Sequence, residues 1–378
     1  MWLVPALRFP EFTEEWESVL LEDVAEFQKK RISSDLLNNS NYISTENILQ
    51  NFGGVQNSIS IPANTNVIEY QKGDVLLSNI RPYLKKVWLS DRHGGCSADV
   101  FVLRGNQCER RFLYYVIASD RFINFVMSGA KGVKMPRGDK SQMEKFAFFI
   151  PTNVEQKKIA RFLSMLDERI RLQNKIIEKL ETLIKGIVEL AFSHAATSNT
   201  LGCYITQISQ RNKTGKDLPV LSVSNKHGFV EQSEQFEDRI IASDDTSNYK
   251  IVDINDFAYN PARINVGSIA RLKDKECGIV SPMYICFRTS KDILPEYLEL
   301  FFKTVTFSFE VGKRLEGSVR LCLSYESLCE IVIPIISIRE QQSLVKMVTT
   351  FHSKLDVEKG FLSSYQSQKQ CLLSQMFI

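Results

Sequence analysis

Side chains able to do chemistry are sparse in this chain, and their spacing limits what they can do. The four histidines, His93, His194, His227 and His352, lie far apart. None has a partner at metal-ligand spacing, so packing or surface roles are expected and no metal site. Neither a G-x-x-x-x-G-K-[ST] loop nor a G-x-G-x-x-G occurs, so no backbone cradle for nucleotide phosphates is legible. Glu155-Gln156-Lys157 has the carboxylate–ammonium spacing of a nuclease motif, but it opens a long helical run without a nearby pair of Asp. Asn260-Pro261-Ala262-Arg263 approaches the Asn-Pro-Pro-aromatic loop of amino-methyltransferases. It lacks the second Pro and the ring that stacks on a flipped base, and it reads as a turn. The chain is expected to catalyse nothing by itself.

What remains is recognition. Asn79, Arg81, Lys85 and Lys86 surround a Ser-Asn turn, and Lys131, Lys134, Arg137 and Lys140 sit in a Gly-containing loop around Met135-Pro136. A second set, Asn260, Arg263, Asn265 and Arg271, then Lys313, Arg314 and Arg320, recurs at matching places in the second half. Lys and Arg suit phosphates, while Arg and Asn can bond base edges bidentately in the major groove. Any one of them is more simply a solvated surface charge; their recurrence lifts the set above that baseline. The net charge is only +3 and the pI about 8.3, so a nucleic-acid surface needs its positive charge gathered on one face.

Such loops must be held at defined positions, and the longest periodic stretch supplies the means. From Glu155 to Phe192 the chain has no Pro and one Gly, Gly186. Alternate steps of four and three from Ile159 give Leu163, Leu166, Ile170, Gln173, Ile177, Leu180, Ile184, Ile187 and Ala191, polar only at Gln173. This spacing predicts a coiled-coil seam on a helix roughly 55 Å long. A partner begins at Glu340-Gln341, with the seam Leu344, Val348, Phe351, Leu355, Glu358, Leu362, Tyr365, Lys369, Leu372 and Met376. The shared Glu-Gln start, the polar break at Gln173 and Glu358, and the final Phe192 and Phe377 predict a duplication. Two such rods are expected to pack antiparallel about an internal pseudo-twofold, with Gln173 and Glu358 setting register.

The flanking segments repeat as well. KGDVLLSNIRP from Lys72 matches INDFAYNPARI from Ile254, placing Asp74 over Asp256 and Arg81 over Arg263. CSADVFVLR and VSPMYICFR are β-like runs ending in Arg104 and Arg288; RRFLYYVIAS and EYLELFFKTV read as helices. Gly132 and Gly317 each open a basic loop that leads through FAFFIP or IVIP into a rod. Pro151 and Pro334 are expected to stop a strand ladder where the helix begins, and Ser193 to Thr200 reads as a loop. The expected organisation is a recognition module over 1–150, a central spacer helix over 151–194, a second module over 195–333 and a C-terminal spacer helix over 334–378. The fold class is α/β (α+β) modules, duplicated and separated by two long helices forming an antiparallel coiled coil. Two like modules on a stiff spacer suit the reading of two separated sites.

Compartment follows from composition. Eight Cys are scattered without a C-x-x-C pair, which fits a reducing, cytoplasmic setting. The apolar start lacks a basic n-region and is broken by Arg8, unlike a signal peptide, and no run reaches the ~18 apolar residues of a membrane span.

Taken with PALRFPEFTEEWE (Pro5 to Glu17), GDVLLSNIRP and FFIPTNVEQKKIARFLSMLDERI, this order of module, rod, module, rod resembles the specificity subunit of type I restriction-modification enzymes along the whole chain. The resemblance implies that each module reads one half of a split double-stranded DNA target and that the helices fix the gap. It also implies that two modification subunits, which carry the S-adenosylmethionine site, pack on this chain, joined by motor-nuclease restriction subunits. The chain itself is then expected to hold no cofactor. IPIISIREQQ replaces the tighter Pro-to-Glu interval in the second copy. A scaffold that bridges protein partners is the rival class, and a self-sufficient methyltransferase or nuclease a third, disfavoured by the missing motifs.

Overall fold

The structure, a computed structural model, describes residues 4–132, 134–193, 197–225, 227–231, 246–317 and 320–377. His194 and part of the loop after Gly317 therefore lie outside the described residues. The chain divides into two compact units, Met1–Asn174 with Gly360–Ile378, and Lys175–Lys359. Each is built from mixed α and β elements and carries half of each long helix, Asn153–Ser193 and Ile338–Met376.

In the first unit the central strand Val75–Ser78 is buried along its whole length. It lies between Val100–Gly105 and Val87–Leu89, with Ala25–Phe27 beyond, all antiparallel. Alternation sends its side chains into two cores. Val75 and Leu77 face a core that holds Phe112, Phe122 and Leu163 of the helices, while Leu76 and its strand neighbour Trp88 face Ile43 and Tyr70 of a second sheet. A sheet covered on both faces has no polar side to display. That second sheet has the order Arg31–Ser33, Asn66–Tyr70, Gly94–Cys96, Tyr42–Ile43, and only its last pair is parallel.

The second unit repeats the pattern. Phe257–Tyr259 lies between Ile285–Thr289 and Ile269–Arg271, with Ile205–Ile208 at the edge. Its companion sheet again has one parallel pair, Val220–Ser224 with Cys277–Val280, and again an antiparallel neighbour, Lys250–Asp253. The outer strand is where the copies diverge. Arg31–Ser33 pairs beside Asn66–Tyr70 in the first unit, whereas among the described residues of the second a single bridge, Arg211 to Lys250, marks that place. Gly228–Glu231 forms a hairpin on the opposite edge instead.

Buried polar groups repeat with the strands. Arg104 donates from Nε and Nη2 to the two oxygens of Asp74 at 2.8 and 2.7 Å. Arg288 does the same to Asp256 at 2.6 and 2.7 Å, and in both pairs the carboxylate is buried. Each long helix starts from the same anchor. The Gln156 side chain accepts from the Glu109 N–H and donates to the Pro151 carbonyl, both at 2.8 Å. Gln341 bonds the Leu294 N–H and the Ile336 carbonyl in the same way, both at 2.9 Å. The longer Pro-to-Glu interval is thus absorbed by moving the accepting carbonyl from Pro151 to Ile336. Each helix ends on aromatic rings: Phe192 packs on Tyr297 and Phe301, and Phe377 on Phe112.

Within the first unit Asp167 pairs with Lys369, and Arg169 stacks over Tyr365; in the second, Glu181 pairs with Lys359. As one number rises the other falls, which is antiparallel pairing. Every position of both 4-3 series is buried or half-buried, including Gln173 and Glu358. Two expectations are corrected. Thr197–Thr200 is a strand rather than loop, pairing with Val332–Ile335. Pro334 lies inside that ladder opposite Ser198, because in a two-stranded sheet both strands are edges and one side of each needs no donor. No helix among the described residues is long and apolar enough to cross a membrane.

Candidate nucleic-acid interface

The two basic loops of the first unit are separate in sequence but joined in space. The Arg81 N–H donates to the Pro136 carbonyl at 2.8 Å, and the Gly138 N–H to the Asn79 carbonyl at 3.2 Å. Ile80 bridges Arg137. The second unit joins its loops through the Leu323 N–H and the Pro261 carbonyl at 3.1 Å. A small ladder closes the later loop in each: Lys131 with Arg137, and Glu316 with Cys322. Gly132 and Gly317 turn these loops at φ +95° and +124°, a region that glycine adopts without a Cβ penalty. A Cβ on Gly317 would lie 2.3 Å from the Arg320 carbonyl oxygen.

The turn carrying Arg81 is built against local preference. Arg81 and Lys85 flank Pro82–Leu84 with φ of 51° at both, which costs a non-glycine residue about 1–2 kcal/mol. Asn51 and Phe52, also left-handed, hold it by donating to the Leu84 and Lys85 carbonyls at 3.1 Å each. Charge pattern and periodicity do not point to this brace; Asn before Phe-Gly-Gly is the local sign of a left-handed turn. Replacing Arg81 by Gly should therefore raise stability by about 0.5–1 kcal/mol, the relieved strain less glycine's chain entropy. Melting curves of the variant beside the wild type check the sign.

The sequence-derived candidates separate by what holds them. Arg81, Lys134, Arg263, Asn265 and Arg320 are exposed, and their side chains have no hydrogen-bond or ion-pair partner among the described residues. Lys131 and Arg137 are exposed in surface pairs with Asp139 and Asp99, and Lys313 in one with Glu310. Pairs of this kind contribute little and can be exchanged for a phosphate. Lys131 holds the Asp139 carboxyl below its ordinary range through their hydrogen bond. Lys85 pairs with Asp120, Lys86 donates to the Thr45 carbonyl at 2.6 Å, Lys140 lies by Glu144 and over the Phe27 ring, and Arg314 is engaged by Glu310.

Two candidates belong to the interior rather than to a binding face. Arg271 is 11% exposed and bonds Glu296 and Glu299 at 2.8 and 3.0 Å. Burial alone would push Glu299 up, yet Lys273, Lys303 and Arg271 hold it below the usual carboxylate range. Asn260 is buried and its side chain accepts from the Ala262 N–H at 3.1 Å, which makes the Asn-Pro-Ala-Arg stretch a turn. Asn79 is half-buried, and its Oδ1 has no partner among the described residues. The nuclease-like Glu155 is consumed too: it is fully buried and takes both donors of Arg8 at 2.8 and 2.7 Å. No three His, Cys, Asp or Glu among the described residues converge as metal ligands.

Comparison with known proteins gives a consistent picture. The profile of the type I restriction modification DNA specificity domain matches residues 13–182. The EcoDI type I specificity subunit of Escherichia coli is 24% identical over 134 residues, 34% of this chain and 30% of that one. The MjaVIII specificity subunit of Methanocaldococcus jannaschii is 27% identical over 193 residues, 50% of this chain and 43% of that one. The matches thus span less than half the length of these curated relatives. In fold, the crystal structure of the type I S subunit from M. genitalium superposes with a TM-score of 0.60 at 18% identity, covering 99% of both chains. A chain from a structural account of type I R-M complex assembly and conformational transition gives 0.59 at 17% identity, covering 96% of this chain and 97% of that one.

Proposed function

We propose, for a chain that belongs to the family of type I restriction-modification specificity subunits, that each unit binds one half of a split double-stranded DNA target and the long helices set the gap. The observation that carries this reading is the repeated joining of loops. In both units an exposed Arg turn is fastened through its backbone to a second exposed basic loop, Arg81 to Lys131–Arg137 and Arg263 to Arg320. One such surface could be chance; the same construction twice in one chain suits two half-sites.

The chain acts in this reading with two modification subunits, which hold S-adenosylmethionine and methylate the base, and with restriction subunits that supply the motor and nuclease. A second row of exposed apolar residues on the central helix, Met165, Leu172, Ile176, Leu183 and Leu190, follows heptad-like steps beside the seam and supports helical docking of the modification subunits.

Binding should be strongly salt-dependent. If Arg81, Lys131, Lys134, Arg137, Arg263, Lys313 and Arg320 all neutralise phosphates, log K should fall against log salt with a slope of about −6. Lys134→Ala with Arg320→Ala should make that slope shallower by about two. Titration of the assembled complex with DNA checks both values. A flat salt response without a co-purifying methyltransferase would favour the protein scaffold instead.

A further inference from the structure

The joined loops carry more than charge. Tyr83 follows Arg81 by two residues and is 48% exposed, and Met135, beside the Pro136 carbonyl that receives the Arg81 N–H, is 49% exposed. In the second unit Val266 lies three residues after Arg263 and Leu321 directly after Arg320, at 56% and 50% exposure. Isolated exposed apolar side chains are ordinary on protein surfaces. Here both loops of both units present one, each within three residues of an exposed Arg or Lys.

We propose that Tyr83 and Met135 in one unit, and Val266 and Leu321 in the other, are base-contacting, specificity-determining residues, while the surrounding Lys and Arg hold phosphates. The assignment rests on the DNA reading above and refines it. Phosphate contacts position a protein without carrying sequence information. Discrimination needs side chains that lose contact when the base changes, and an apolar group against a thymine methyl does so in the major groove. Most candidate Arg and Lys residues already have carboxylate or carbonyl partners, which suits exchangeable phosphate contacts better than fixed base readout. The left-handed frame at Arg81 and Lys85 holds Tyr83 at the apex of its turn, a rigid placement that readout requires and charge neutralisation does not.

The test uses the chain assembled with its modification subunits, after methylome sequencing has given the target. Affinity is measured over a range of salt for the intact duplex and for duplexes scrambled in one half or the other. Tyr83→Ala/Met135→Ala should lose about tenfold or more of its discrimination against scrambling in one half only. Discrimination in the other half and the salt slope should be kept. Val266→Ala/Leu321→Ala should give the mirror image. Unchanged discrimination would overturn the assignment, as would equal weakening on every duplex with a shallower salt slope. If the wild-type complex rejects neither scrambled duplex, the DNA reading itself is what fails.

Discussion

Removing one heptad from both long helices should shorten the gap in the proposed split target by about three base pairs and leave the two half-sites unchanged. The deletion must be double because each helix is fastened at both ends. Gln156 seats the start of the central helix and Phe192 its end, as Gln341 and Phe377 do for the C-terminal helix. Deleting 174–180 with 357–363 respects the antiparallel order set by Asp167–Lys369 and Glu181–Lys359. Seven residues remove about 10 Å of helix while rotating the distal half of each helix by only about 20°, so the seam keeps its phase. At 3.4 Å per base pair that length is close to three base pairs. A deletion in one helix alone should instead mismatch the anchors and abolish methylation. Methylome sequencing reads both outcomes, and an unchanged gap in the double deletion would end the spacer reading.

The legible and illegible parts of this molecule differ by physical origin. The helices were readable because a 4-3 apolar series records burial directly, and Gln156 and Gln341 stood out through repetition before any role was visible. Two strands were readable as well: CSADVFVLR and VSPMYICFR read as β-like, and they cover all but the last residue of Val100–Gly105 and Ile285–Thr289. The short edge strand Thr197–Thr200 was not. It forms through pairing with Val332–Ile335, and nothing in four residues announces a partner more than a hundred positions away. The basic set was only partly legible for the same reason. Charge type shows in the sequence, but whether Arg271 meets solvent or Glu296 and Glu299 depends on the fold. The docking of the 79–86 turn on the 131–138 loop rests on backbone hydrogen bonds, which no side chain encodes.

Arg104→Ala should be among the most damaging single changes outside the apolar core, and Arg288→Ala clearly milder, although the two arginines are copies. Both bond a buried carboxylate bidentately, but the Arg104 side chain is 25% exposed and that of Arg288 50% exposed. Removing one partner leaves the other as an uncompensated buried charge, which costs about 3–5 kcal/mol when the pair is dry and less where water reaches it. The low end, about 3 kcal/mol, is expected for Arg104, and roughly half of that for Arg288. In a unit of this size about 3 kcal/mol lowers the melting temperature by roughly 6–12 °C. The double variant Asp74→Leu/Arg104→Met should recover most of the loss, since an apolar pair of similar volume carries no desolvation cost. Calorimetry of the four proteins checks the order wild type, double variant, Arg288→Ala, Arg104→Ala. Equal melting of the two single variants would mean that these pairs are solvent-screened in both units and that their burial does not govern stability.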